Sequence, residues 1–340
     1  MEDKMMFYRM LREFLLDYLI TQRNSSSKTV SAYKQSLNQF RIYLRNEKSI
    51  SFDKVDFDCF SKQQIYGFLV YLRDNRKCSV ATLNLRLAAI KSFLRYCSEE
   101  DISCTAVYLS VSGIHKFKGE KKPCVEYLKP EQLKLIYSVP ESQIKMGRRD
   151  IFIMIFLYET GARIEEFLSL KLRDINRTGK ISQIRIYGKG RKVRYIPLLK
   201  ETLLHLDAYL CEFHPSSGDD DYLFYTVHKD THTQMSPGNI DHLLKKYASI
   251  ASVSDDTFPK ELHAHMFRHS IAMAMYKKGV PLSYVKDFLG HASFDTVAIY
   301  AYADGETIAE ALRKVDHEPV SQTKKWKTHE KELLAFCGFE

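Results

Sequence analysis

The residues with the most chemistry stand in five short stretches of the second half of the chain. Arg163 and Glu166 occur in TGARIEEFLSL, spaced i, i+3 just after a glycine break. Lys189 lies between two glycines in GKGRK, residues 188–192. His265 and Arg268 are spaced i, i+3 in HAHMFRHSIA, so a helix puts imidazole and guanidinium on one face. His291 directly follows Leu289-Gly290, and Tyr300 comes nine residues later, with Tyr302 nearby. The set is chemically coherent. Two guanidiniums can hold the non-bridging oxygens of a phosphodiester, which gain charge in the transition state. A phenol is a nucleophile at phosphorus. Lysine can protonate a departing alkoxide, and histidines can move protons or hold the phosphate. Arginine supplies the positive charge, so the set needs no metal or other cofactor.

Taken singly, each stretch has a plainer reading. Arg163 and Glu166, placed about one turn into a helix running from 163 to 172, could be a surface ion pair. The basic turn at 188–192 could be solvated; it is not a P-loop, because G-x-x-x-x-G-K-[ST] is absent. His265 could be a core histidine, His291 a capping one, and Tyr300 a core aromatic. His263, His265 and His269 have spacings that zinc can use, but no H-E-x-x-H and no nearby cysteine supports that. The order of all five across residues 163–300 gives the phosphoryl-transfer reading its weight.

The elements that must position these residues are mostly helical. Apolar residues recur at helical spacing in 7–20, in 28–45 after Ser25–Ser27, in 61–75 and in 79–98. Four such helices can bury one small core. Their outer faces carry Lys28, Lys34, Arg41, Arg45, Arg86, Lys91 and Arg95. GIHKFKGEKKPCV, 113–125, is a basic linker without apolar period. Beyond it, Pro130 opens a helix, and a strongly apolar helix runs from Arg149 to Thr160 and stops at Gly161. ISQIRIY and VRYIPL alternate, which predicts a β-hairpin with GKGRK at its tip. Helices return after residue 200, with polar loops at 214–221 and 228–238. No βαβ repeat occurs, so the fold expected is mostly α with a small antiparallel sheet.

The 340 residues suit about two domains. A net charge of +9 and a pI near 9.0 suit a polyanionic partner. Seven cysteines without a C-x-x-C pair argue against a disulfide framework and place the chain in a reducing cytoplasm. The longest apolar run, residues 151–158, is far short of the about 20 a spanning helix needs, and the start MEDKMM lacks signal-peptide features.

On its motifs the chain resembles the tyrosine recombinase family, the phage-integrase-like site-specific recombinases. SSSKTVSAYKQSLNQFRIYL and SVATLNLRLAAIKSFLRYC are similar to passages of that family's helical core-binding domain. TGARIEEFLSL, YGKGRKVRYIPL, HAHMFRHSIA and FLGHASFDTVAIY are similar, in order, to its catalytic boxes. Asp295-Thr296-Val297, and Tyr302 after the nucleophile, depart from the usual family text.

The resemblance implies a helical SAM-like core-binding domain over 1–115, a basic linker over 116–125 and an α+β catalytic domain over 126–316. It implies a tail over 317–340 that packs on a neighbouring protomer. It also implies a catalytic set of Arg163, Lys189, His265, Arg268, His291 and Tyr300. Tyr300 would form a 3′-phosphotyrosyl bond, with Lys189 as general acid, His265 acting on the tyrosine proton and His291 on the phosphate. The implied partners are double-stranded DNA with inverted-repeat core sites and three further copies, a homo-tetramer that passes through a Holliday junction. No nucleotide, cofactor or membrane is implied. With only about twenty residues before the core-binding pattern, the two-domain type found in chromosome-dimer resolvases and transposon-borne integrases is expected. A type IB topoisomerase-like enzyme and a DNA-binding regulator without cleavage remain the alternatives.

Overall fold

In a computed structural model, residues 2–119, 125–188, 192–229, 231–291, 293–302, 334–335 and 338 are described. The chain divides into two compact units, Met1–Lys121 and Lys122–Glu340.

The first unit is helical: α1 (Glu2–Glu13), α2 (Ser27–Lys48), α3 (Lys62–Asp74), α4 (Val80–Glu100) and α5 (Thr105–Ser112). α1 runs on into a π-helical turn, Phe14–Tyr18. Three of the helices start on a serine. Ser26, Ser61 and Ser79 accept bonds from the backbone N–H of Thr29, Gln64 and Thr82, and each such cap stabilises by about 1 kcal/mol. Apolar residues one turn apart, such as Leu83, Leu87, Ile90 and Leu94 of α4, are fully buried. Phe7, Phe14, Phe40, Phe60, Phe68 and Phe93 fill the core between them.

Two features of this unit differ from the sequence expectation. α5 extends the expected four-helix pattern; its sequence, TAVYLSVS, is rich in β-branched residues and gives a weak helical signal. Lys91 and Arg86 are half-buried and tied into the fold, not simply solvated. Lys91 Nζ donates to the carbonyls of Ser112 and Ile114, both at 2.6 Å, and so closes the C-terminal end of α5. Arg86 donates to Ser36 Oγ at 2.9 Å.

The second unit holds α6 (Pro130–Ser138), α7 (Lys145–Thr160), α8 (Ile164–Leu168), β1 (Ile175–Asn176), β2 (Gln183–Tyr187), β3 (Val193–Pro197), α9 (Lys200–Phe213), β4 (Tyr225–His228), β5 (Thr231–Gln234), α10 (Pro237–Ser254), α11 (Ala264–Lys277), α12 (Leu282–Leu289) and α13 (Asp295–Tyr302). The strands form an antiparallel sheet β1-β2-β3 and a separate hairpin β4-β5. In the first sheet Ile184 opposes Ile196 and Ile186 opposes Arg194. Ile184, Ile186 and Ile196 face the core; Tyr187, Val193 and Tyr195 are exposed.

The β4-β5 hairpin occupies part of the stretch read as a polar loop. Thr231–Gln234 is exposed throughout, so it has no apolar alternation to read. The helix expected over 163–172 is much shorter. Residues 170–173 leave the helix to bond another segment: Leu223 N–H donates to the Leu170 carbonyl, and Leu172 and Arg173 donate to the carbonyls of Asp221 and Asp219. Among the described residues no helix is long and apolar enough to cross a membrane. The expected tail over 317–340 falls almost wholly outside the described residues.

Candidate active site

The site is built where α7, α8, α11, α12 and β3 meet. α7 ends at Gly161 and α12 at Gly290, each in the left-handed conformation (φ +53° and +65°). A side chain at either position would be strained in backbone and crowded in space. A Cβ at 161 would come 2.9 Å from the Phe288 ring, and one at 290 would come 3.0 Å from a guanidinium nitrogen of Arg194. After Gly161 the chain runs extended, so Arg163 (φ −70°, ψ 148°) is the residue before α8 and not one turn inside it. Its backbone N–H donates to Glu166 Oε2 at 3.0 Å, one half of a capping box.

Arg268, on α11, is fully buried. It donates to the Gly161 carbonyl at 2.6 Å and the Leu289 carbonyl at 2.7 Å. Arg163 donates to the next carbonyl, Gly290, at 3.1 Å. Two guanidiniums thus hang on consecutive carbonyls, and His291 is the residue that follows. The acid is shared differently. Glu166, buried, takes Arg163 at 2.7 Å on Oε1 and Arg194 at 2.7 Å on Oε2. Burial favours its neutral form, but the bonds from Arg194 and Arg163 outweigh this and hold its carboxyl below the usual range. Arg268 has no carboxylate partner among the described residues. Burial, with Arg163 and Arg194 beside it, pulls its pKa down to about 9, so it stays charged at neutral pH.

Four buried side-chain atoms among the described residues have no hydrogen-bond partner, and three are here: Arg194 Nε, Arg268 Nε and His291 Nδ1. Leaving such groups unpaired costs about 1–3 kcal/mol each. Their concentration around two arginines makes a preformed acceptor for an anion.

Tyr300, on α13, is fully buried in an apolar cluster with Ala272, Met273, Val285, Leu289 and Val297. Burial raises its phenol to about 12 in spite of Arg268 and Arg163. Its Oη lies 2.9 Å from Nδ1 of His269. The His265 ring is one turn back on α11, its centroid 4.4 Å from that of His269. Burial first, and then the nearby positive groups, depress His265 to about 4, His269 to about 3 and His291 to about 4. All three are neutral at neutral pH. Among the described residues no group of three or more His, Cys, Asp or Glu converges as a metal site.

Comparison with known proteins bears on what this arrangement is. Residues 126–306 match the Phage integrase family, and residues 12–101 match the Phage integrase, N-terminal SAM-like domain. The putative integrase/recombinase y4rC of Sinorhizobium fredii is 30% identical over 330 residues, covering 97% of each chain. The chain belongs to the phage integrase family. The tyrosine recombinase XerC of Staphylococcus saprophyticus is 25% identical over 90% of this recombinase and 95% of its own length. In fold, the chain is similar to the XerH site-specific recombinase in its post-cleavage complex with palindromic difH substrate, with a TM-score of 0.67 at 22% identity, covering 92% of this chain and 89% of that one. It is also similar to the lambda integrase of a tetramer bound to a Holliday junction, with a TM-score of 0.62 at 16% identity, covering 86% and 76%.

In this recombinase, Arg163, Arg268 and His291 converge on residues 289–291, and Tyr300 and His265 lie to either side of His269. Lys189 lies outside the described residues; the hairpin that carries it is closed at its base by Gly188 N–H donating to the Lys192 carbonyl at 2.7 Å. Sequence reasoning missed Arg194 and weighed His269 only as a metal ligand. The alternation of β3 could have found the first, since position 194 has the inward parity of the buried Ile196. The helical spacing could have found the second, since 269 is one turn beyond 265.

Glu166→Gln should destabilise the second unit by about 3 kcal/mol, because removing one partner strands buried positive charge. Urea unfolding measures this; an unchanged midpoint would mean that Arg163 and Arg194 do not depend on the acid. Acid should act in the same direction. The three depressed histidines make the unfolded chain bind more protons than the folded one between their ordinary pKa near 6.5 and about 4. Their contribution is therefore complete above about pH 6.5 and lost as pH falls towards 4. The urea midpoint should drop between neutral pH and about pH 5, and less steeply in His269→Asn.

Proposed function

We propose that this tyrosine recombinase cuts and rejoins duplex DNA through a 3′-phosphotyrosyl bond to Tyr300, and that four copies exchange strands on paired inverted-repeat sites through a Holliday junction. The observation that carries the reading is the convergence of Arg163, Arg268 and His291 with unpaired buried donors beside a tyrosine. In this reading the first unit is the core-binding domain and the second the catalytic one. Arg163 and Arg268 stabilise charge on the phosphate. His265 and His291 flank it, and Lys189 protonates the leaving 5′-oxygen. Two proteins of similar fold, a recombinase in a post-cleavage complex with its substrate and an integrase tetramer on a Holliday junction, support the assembly proposed for this chain.

The test is to trap covalent protein–DNA adducts and sequence the attached DNA, which gives activity and target together. Adducts at one recurrent inverted repeat, followed by strand exchange between two copies of it, would support the proposal. Supercoil relaxation without exchange would point to a topoisomerase, and binding without adduct to a regulator.

The assignment of Lys189 has its own check. A 5′-bridging sulfur leaves without needing a proton. Lys189→Ala should slow cleavage of ordinary DNA by about 10², the lower end of what general acid catalysis contributes, and cut the sulfur substrate at close to the normal rate. Rescue of Lys192→Ala instead would move the general acid along the hairpin.

A further inference from the structure

We propose that His269, and not His265, receives the Tyr300 proton when the phenol attacks the scissile phosphate. The inference rests on the recombinase reading above and adds a catalytic residue to it. The decisive geometry is the 2.9 Å separation of Tyr300 Oη and His269 Nδ1, with the two rings edge to face. Among the described residues no hydrogen bond joins Tyr300 to His265, whose ring lies one turn earlier, at the start of α11.

Burial makes the contact consequential. The Tyr300 ring is fully buried among apolar side chains of α11, α12 and α13 and its hydroxyl faces His269, so bulk water has no direct access to its proton. The proton must pass to a group already touching the oxygen. His269 is neutral, so its Nδ1 can carry a lone pair towards the phenol, with the ring proton on Nε2. In the free protein burial, and with it the permanent charge of Arg268, opposes a charged His269. A phosphodiester held by Arg163 and Arg268 brings negative charge into the same space and relieves that opposition. The acceptor thus becomes a better base when substrate is bound.

The step balances without a co-reactant. The O–H bond of Tyr300 breaks and its electron pair forms the bond to phosphorus. The proton goes to His269 Nδ1, giving an imidazolium. The bond from phosphorus to the 5′-oxygen breaks, and that oxygen takes a proton from Lys189. In ligation a 5′-hydroxyl attacks, Lys189 takes its proton, and the departing tyrosine oxygen recovers its own from His269.

The test uses the full chain, a duplex carrying the sequence recovered from trapped adducts, and single-turnover adduct formation. His269→Asn keeps an acceptor oxygen near the position of Nδ1 but cannot take a proton. It should bind the duplex as the wild type does and form adduct about 10² more slowly. His269→Ala leaves room for a small base, so added imidazole should raise its adduct rate about tenfold or more. His265→Ala should gain nothing from imidazole. The 5′-bridging sulfur should not restore either His269 variant, because their deficit lies with the nucleophile. The imidazole arm compares one variant with itself and so does not depend on equal folding of two proteins. His269→Asn cutting at the wild-type rate would overturn the proposal, as would imidazole rescue of His265→Ala in place of His269→Ala. If the wild type itself forms no adduct on any DNA, the recombinase reading fails instead, which separates the two.

Discussion

Tyr300→Phe should form no covalent DNA adduct while binding its site within a few-fold of the wild type. The change removes one oxygen from a ring that is otherwise held by apolar contacts. The lost bond to His269 is worth about 1 kcal/mol, too little to unfold the unit, whereas in the proposed reaction the lost oxygen is the atom that bonds to phosphorus. Adduct formation measured by gel shift under denaturing conditions reads the first effect, and native binding reads the second. Tyr302→Phe is the control and should cut normally. If Tyr302→Phe is the inactive variant and Tyr300→Phe still forms adducts, the nucleophile has been wrongly assigned.

Arg268→Lys should lower the cleavage rate by about 10²–10³, the loss expected from removing one preorganised donor to a developing oxyanion. Arg268 spends one nitrogen on each of two carbonyls and keeps Nε unpaired. A planar fork can do all three at once. An ammonium on a flexible stem is a point charge that cannot span the two carbonyls and the phosphate together. Some stability should be lost as well, since at least one buried carbonyl is left without its donor. Comparing the cleavage rate of bound DNA with the urea midpoint separates the two effects. A lysine variant cutting at the normal rate would count against a direct phosphate contact by Arg268.

What could be read from the sequence was what short-range chemistry determines. Ser26, Ser61 and Ser79 start helices because a hydroxyl three residues ahead of a free N–H can accept from it, and Gly161 ends one because its backbone must turn left-handed. Arg163, His265, Arg268, His291 and Tyr300 could be read from their boxes. What could not be read depends on distant partners. Residues 170–173 leave the helical path for carbonyls and amides near 220, about fifty positions away. The exposed strand β5 buries nothing and so leaves no apolar period. His269 acquires its meaning from Tyr300, 31 residues further on, and Arg194 from the buried Glu166, 28 residues earlier.

Arg268 also sets when the second unit can hold its site together. Its guanidinium closes a long loop back to Gly161, 107 positions earlier, and a second contact forward to Leu289. Contacts at such separation form late, because the ordering of the intervening chain must come first. Domains also emerge and fold from the N-terminus during synthesis. A nascent chain whose first unit has already folded therefore holds no such cradle, since the carbonyl of residue 289 and the helix bearing Tyr300 are made late. The cradle around Arg268 is therefore completed only after most of the second unit has been made.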